Sequence, residues 1–466
     1  MPEFPESPAA KAGASDLGSF PLLRQVGLFD ATMLVMGGIV GAGIFINPYV
    51  VAQQVHTPGL ILGAWIAGGI TALLGAFIYA ELADRMPAVG GQYAYLREAY
   101  HPVLGFLYGW VLLLVVQTGG MAAVTVTFAR YFLELTGSRL DEHIVGALAL
   151  GILTAVNCLG VKMGTRVQSA LTVLKIVSIA CLVISGFLLV SGPHPILSSG
   201  GSPTISPGLL TSFGAAMIPV LFAYGGWQTA NFVAAEIKEP RKNLPRALIL
   251  GVAGVVVLYV TVNLVCLRVL GPSDLASTTV PASEVMRRVL GSRGAMLIAV
   301  GIAISTLGFL SQSVLTAPRV YFAMADDGVF FRSFASVNQK TRVPVVAIIL
   351  QSVWTIVIVM SGRYEQILNY VVSMDFLFFG LTATCIFVFR HRDRARQHAT
   401  VKQSIGSRVP GHPYTTALFV LVSWLVVGDT IYKYPSNTLV GMLILLLGLP
   451  VYAFWHRRRA SGEPGS

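Results

Sequence analysis

Charge is what this chain has least of. Only 11% of its 466 residues are Asp, Glu, Lys or Arg, against about 25% in an ordinary soluble domain, while 55% are hydrophobic. That excludes a soluble globular protein and points to an all-α polytopic membrane protein. Cysteine is scarce too. Cys158, Cys181, Cys266 and Cys385 fall in or at the ends of apolar stretches, where a thiol behaves as a small hydrophobe, so no disulfide or metal framework follows. The eight histidines lie in loops or near the ends of apolar stretches, without metal-ligand spacing. No nucleophile–base pair or phosphate loop stands out, so neither an enzyme nor a cofactor is expected. The first two dozen residues lack the charged, apolar and cleavable regions of a signal peptide and read as a disordered cytosolic tail.

Long apolar runs are what the chain has instead. A crossing helix needs about 20 apolar residues for some 30 Å of hydrocarbon, and twelve candidate spans can be counted. Span one runs from Gly27 to Val55, span two from Leu60 to Leu82, and a long span three follows. Span four covers His143 to Leu159, span five Thr165 to Val190, and span six Gly208 to Ala235. Span seven ends near Leu270, span eight covers Gly294 to Met324, and spans nine and ten occupy Val345 to Phe389. The resulting organisation is a tail (1–24), a five-span repeat (25–190), an outer linker of Ser, Gly and Pro (191–207), a second five-span repeat (208–396), two further spans (397–455) and a second cytosolic tail (456–466).

The net charge of +11 reflects orientation, not nucleic-acid binding. Of the 32 Lys and Arg residues, about 23 fall in the tails and even-numbered loops and about 7 in the odd-numbered loops, which by the positive-inside rule puts both termini in the cytosol. Arg268, Arg287, Arg288 and Arg293 run against that trend and suggest a short amphipathic helix on the outer side.

Gly37 to Pro48 reads GGIVGAGIFINP. Glycine costs a helix interior roughly 1 kcal/mol against alanine, so Gly37, Gly38, Gly41 and Gly43 together suggest a broken helix. Backbone freed in hydrocarbon must face protein or a water-filled site, which makes the break a binding-site candidate. Close packing through Gly37 and Gly41 is the competing reading. A second cluster, Phe222-Ala-Tyr-Gly-Gly-Trp227, falls five spans later. Interruptions at corresponding places in two halves point to the site of an inverted-repeat transporter. Lys175 stands alone in span five, about nine residues beyond Arg166 and so about 14 Å deep. A midplane ammonium costs roughly 2.5–3.5 kcal/mol and needs a partner or water. Asp375 is its counterpart in span ten, read either as a proton-coupling carboxylate or as a hydrogen-bonded packing residue.

With these residues laid out, the chain resembles the amino acid–polyamine–organocation superfamily and, within it, the L-type amino acid transporter group. The likeness rests on GGIVGAGIF, FAYGGW, AAEIKEPRKNLPRAL and LTAPRVYFAMADDG. It implies a LeuT-like 5+5 inverted repeat with helices 1 and 6 broken. On the family pattern the substrate carboxylate meets the backbone at Gly41, Ala42 and Gly43, and the amine meets the carbonyls of Phe222, Ala223 and Gly225. Ala42 stands where relatives often carry serine. Phe222 matches the gate residue that closes over the substrate, Val116, Gln117 and Gly120 match the side-chain pocket, and Lys175 occupies the place of a sodium ion in sodium-coupled relatives.

The expectation is therefore a sodium-independent exchanger of neutral L-amino acids, working by alternating access in the plasma (inner) membrane. A proton-coupled symporter of the same fold and a non-transporting amino acid sensor are the alternatives. Animal L-type members use a cysteine in the outer loop after span three to bond a glycoprotein subunit. The loop here, Glu134 to Glu142, has none, so no disulfide-linked partner is expected.

Overall fold

In hydrocarbon an apolar run satisfies every backbone group only by bonding to itself, which favours helix. The structure, a computed structural model describing residues 22–189, 207–361, 364–396, 406–433 and 435–460, bears this out: no strand forms among those residues beyond an isolated bridge between Val26 and Ile237. The expected linker and nearly all of the first tail lie outside the described residues.

In order the helices are α1 (Leu28–Ile39), α2 (Gly43–Val55), α3 (Pro58–Arg85), α4 (Gln92–Ala99), α5 (Pro102–Val111), α6 (Gln117–Thr136), α7 (Glu142–Cys158), α8 (Val161–Leu188) and α9 (Pro207–Ala223). A 3₁₀ segment at Trp227–Glu236 follows, then α10 (Pro240–Ser277), α11 (Pro281–Thr316), α12 (Pro318–Asp326), α13 (Val345–Ser361), α14 (Tyr364–Arg396), α15 (Tyr414–Lys433) and α16 (Pro435–Ala460).

Eight of the described helices are long and apolar enough to cross a bilayer, and α1 with α2, bent by 42°, makes a ninth. The expected count of twelve is not reached on length and composition alone. Helices α7, α9 and α13 have 17 described residues each, fewer than the usual 20. Sharp bends at Gly271 and Gly291, with φ of 74° and 66°, set off the segment between them. It carries Arg287 and Arg288, which pair with Glu284 and Asp274.

Helix α3 lies along α10, and α8 along α11. Small residues make the approach on α3 close, as they do between membrane helices generally. A Cβ on Gly69 would stand 2.8 Å from Val256 of α10, one on Gly68 2.3 Å from Val220 of α9, and one on Gly75 2.5 Å from Trp227 of the 3₁₀ segment.

One end of the bundle is closed by charge. The Arg319 Nε donates to Glu236 at 2.6 Å and its Nη2 to the other carboxylate oxygen at 3.1 Å, with both side chains buried. Gln25 and Val26 donate their backbone N–H groups to the Glu236 carbonyl at 2.8 and 2.9 Å. At the same end, Glu81 collects Arg85, Arg390 and the Val409 N–H.

Breaking a buried pair leaves one charge uncompensated and costs about 3–5 kcal/mol, whereas replacing both partners by apolar groups is often neutral. Arg319→Ala should therefore lower thermal stability in detergent sharply, while Glu236→Leu with Arg319→Met should cost less than either single change. Equal stability of Arg319→Ala and the parent would mean that the pair carries no such weight.

Candidate functional site

Both glycine clusters interrupt their helices. α1 stops at Ile39 and α2 starts at Gly43, while α9 stops at Ala223, turns through Tyr224 to Gly226 and resumes as a 3₁₀ coil. The two breaks touch backbone to backbone. A Cβ on Gly38 would lie 2.6 Å from the Gly226 carbonyl, and one on Gly226 2.1 Å from the Gly38 carbonyl. Gly226 also has φ of 101°, a conformation that side chains oppose. The 3₁₀ form of the second half-helix was not foreseen; its i→i+3 bonding is tighter and poorer than that of an α-helix.

The backbone groups freed at these breaks divide unequally. On the carbonyl side, the Lys175 ammonium donates to Gly37 at 3.1 Å and to Val40 at 2.6 Å. The Tyr259 hydroxyl reaches the Ile39 carbonyl at 3.1 Å and the Ala223 carbonyl at 3.3 Å, and Ser305 donates to Gly41 at 3.1 Å. On the amide side, no partner among the described residues takes the N–H of Gly41 or Ala42, and Gly43 opens α2. Free N–H groups at a helix start carry partial positive charge and suit an anion.

These amides face a cavity of about 260 Å³. Gly41, Ala42 and Gly43 line one wall, and Phe222, Ala223 and Gly225 line another. The carbonyls of the second wall are partly engaged: Phe222 accepts the Gly225 N–H at 3.0 Å, and Ala223 shares Tyr259. Val116, Gln117 and Gly120 line a third wall, and a Cβ on Gly120 would meet nothing within 4 Å. Phe222 is 42% exposed. Asp375 also lines the cavity and has no hydrogen-bond partner among the described residues. It is the only ionisable group among the described residues that line the cavity.

Lys175 is not in the wall. It is fully buried behind α1, reaches the site only through the α1 carbonyls, and makes no ion pair with Asp375. Gly308 of α11 gives it room, because a Cβ there would stand 2.9 Å from Lys175 Cε and 3.1 Å from Nζ. The lining reaches Ile46 and Asn47 of α2 and Thr127 of α6, so the cavity extends away from the end sealed by Glu236 and Arg319.

Sequence reasoning missed Tyr259, Ser305, Gly308 and Asn47. The last donates to Pro219 at 2.8 Å. Tyr259, Ser305 and Gly308 lie in ordinary apolar stretches, and Asn47 lies in the Gly37–Pro48 stretch without a feature of its own; the role of each exists only through contact with a distant segment.

The profile of the family described as "Amino acid permease" matches residues 26–449. The chain is 32% identical over 445 residues to the Serine/threonine exchanger SteT of Bacillus subtilis (strain 168), covering 94% of this chain and 98% of that one. It is 28% identical over 468 residues to the Large neutral amino acids transporter small subunit 2 of Homo sapiens, covering 97% and 85%. It is also 28% identical over 451 residues to the b(0,+)-type amino acid transporter 1 of Mus musculus, covering 94% and 89%. With its apolar helices, interrupted spans and near full-length match, this chain is a multi-pass membrane protein that belongs to the amino acid permease family.

Proposed function

We propose that the protein is a sodium-independent exchanger of neutral L-amino acids, acting by alternating access across the plasma (inner) membrane with both termini cytosolic. The observation that carries this reading is the unequal division at the breaks. Carbonyls at the end of α1 are held by the protein's own side chains, while the amides of Gly41 and Ala42 open into the cavity. Gly41, Ala42 and Gly43 then take the substrate carboxylate, and the carbonyls of Phe222, Ala223 and Gly225 take the amine. Phe222 acts as the gate, and Val116, Gln117 and Gly120 form the side-chain pocket. The names of the relatives, which concern serine, threonine and large neutral amino acids, support neutral substrates.

The fold in this reading is LeuT-like, with repeats at 25–190 and 208–396 and with α7, α9 and α13 crossing the bilayer despite their length, for twelve spans in all. The sealed end is cytosolic, so the cavity faces outward. Lys175 stands where a coupling cation would be useful, its ammonium doing that work permanently, so no sodium is needed and return of the empty carrier is disfavoured. A human relative is named a small subunit. The loop of this chain after α6 has no cysteine, and a disulfide-linked glycoprotein partner is not part of the reading.

Asp375 favours one second reading, a proton-coupled symporter, because an unpartnered carboxylate facing a cavity can carry a proton. In proteoliposomes, exchange predicts labelled amino acid uptake that requires internal amino acid and is unchanged when sodium is replaced by choline. Uptake into empty vesicles driven by a pH gradient, and lost in Asp375→Asn, would favour the symporter instead. Binding without flux in either assay would identify a sensor.

Hydrogen bonds from a charged donor contribute about 1.5–3 kcal/mol, so Lys175→Ala should slow exchange roughly 10- to 100-fold. Gly308→Ala should slow it as well, since the tip of a lysine yields more easily than a helix backbone and the ammonium would leave its carbonyls. In the Lys175→Ala background the same methyl group should cost no thermal stability. Equal losses in both backgrounds would make Gly308 a packing residue only.

A further inference from the structure

Between α5 and α6 the helix widens. Residues Leu112–Val116 form a π-turn in which the Gln117 N–H reaches back five residues to the Leu112 carbonyl. In an α-helix that N–H would go to Leu113. The Leu113 carbonyl accepts the Thr118 hydroxyl instead, at 2.7 Å, in a fully buried position. The next carbonyl, Leu114, is approached by the Trp354 ring N–H of α13 at 3.4 Å. Single π-turns inside α-helices recur at functional sites, and this one underlies the cavity wall: Leu112, Val116 and Gln117 all line it.

We infer that Thr118 is a positioning residue that sets side-chain selectivity by holding this wide turn open. The argument is one of satisfaction. In the wide turn the Leu113 carbonyl has lost its α-helical partner, the Gln117 N–H, and the buried Thr118 hydroxyl supplies a donor in its place, so removing the hydroxyl leaves that carbonyl unmet and favours the α register in which Gln117 returns to it. While the hydroxyl holds it, Gln117 keeps its bond to Leu112 and its side chain stays at the cavity. The Gln117 amide, which offers both donors and an acceptor, has no hydrogen-bond partner among the described residues. It suits a substrate whose side chain carries a hydroxyl over an aliphatic one of the same shape. Threonine and valine are such a pair, and a site built to pair with a hydroxyl rejects the analogue lacking it. The inference rests on the exchanger reading and names the substrate class at the same site.

The test compares threonine with valine in two assays on the purified full-length chain, exchange in proteoliposomes and substrate-induced thermal stabilisation. The parent and Thr118→Ser should both prefer threonine. Thr118→Val, which keeps the shape and loses the hydroxyl, should shrink that preference by about fivefold or more, on the scale on which pocket contacts discriminate, while exchange of a shared substrate such as alanine persists. Gln117→Met should shrink it likewise, and it decides the matter if Thr118→Val does not fold. A ratio unchanged in Thr118→Val or in Gln117→Met, with exchange intact, overturns the inference and leaves the exchanger standing. A parent that neither binds nor exchanges any L-amino acid overturns the exchanger reading and this inference with it.

Discussion

A peptide chain that stops being helical inside a membrane exposes N–H and C=O groups that lipid cannot satisfy, each at a cost of several kcal/mol. Everything distinctive in this protein answers that constraint. A break serving structure alone would have both kinds of group met from within. Here three side chains from three separate helices, Lys175, Tyr259 and Ser305, converge on the carbonyls ending α1. No comparable set converges on the amides across the gap. Half of the break is satisfied from within, while the Gly41 and Ala42 N–H groups have no partner among the described residues.

The identity of the donors matters as much as their number. Lys175 sits buried at the negative end of a half-helix, where the macrodipole favours an ammonium, and its bonds to the Gly37 and Val40 carbonyls reinforce the placement. It must also be fixed from behind, since a long flexible stem would otherwise let the ammonium wander. The missing side chain of Gly308 leaves the slot for that stem, and Ser305, one turn earlier on α11, reaches the same Val40 carbonyl at 3.4 Å. Helix α11 thus shapes the end of α1 without touching the cavity through either residue.

The local events were legible in the sequence and the long-range ones were not. Four glycines within seven residues of an apolar run can be read as a break because glycine's cost is intrinsic to the backbone, and a single lysine among apolar residues must be paired wherever the chain takes it. Both inferences are local. Nothing local separates Tyr259 from any other membrane tyrosine, since its role requires Ile39 and Ala223, 220 and 36 residues away, to meet at its hydroxyl. The π-turn was invisible for a related reason: Leu112–Val116 is a plain aliphatic run, and its widening shows only in the folded backbone, where the Gln117 N–H reaches Leu112.

The contact between Gly38 and Gly226 has a mechanical consequence. Two breaks that touch through bare backbone cannot shift independently, because neither carries a side chain able to take up the movement. Tyr259 ties them a second time, yet its hydroxyl has one proton and can give a full hydrogen bond to only one of the two carbonyls within reach. The two carbonyls therefore share one side-chain donor, and both residues line the cavity. On the proposed reading, a substrate ammonium brings three donors to the same carbonyls, which would couple the filling of the cavity to the arrangement of the joined breaks.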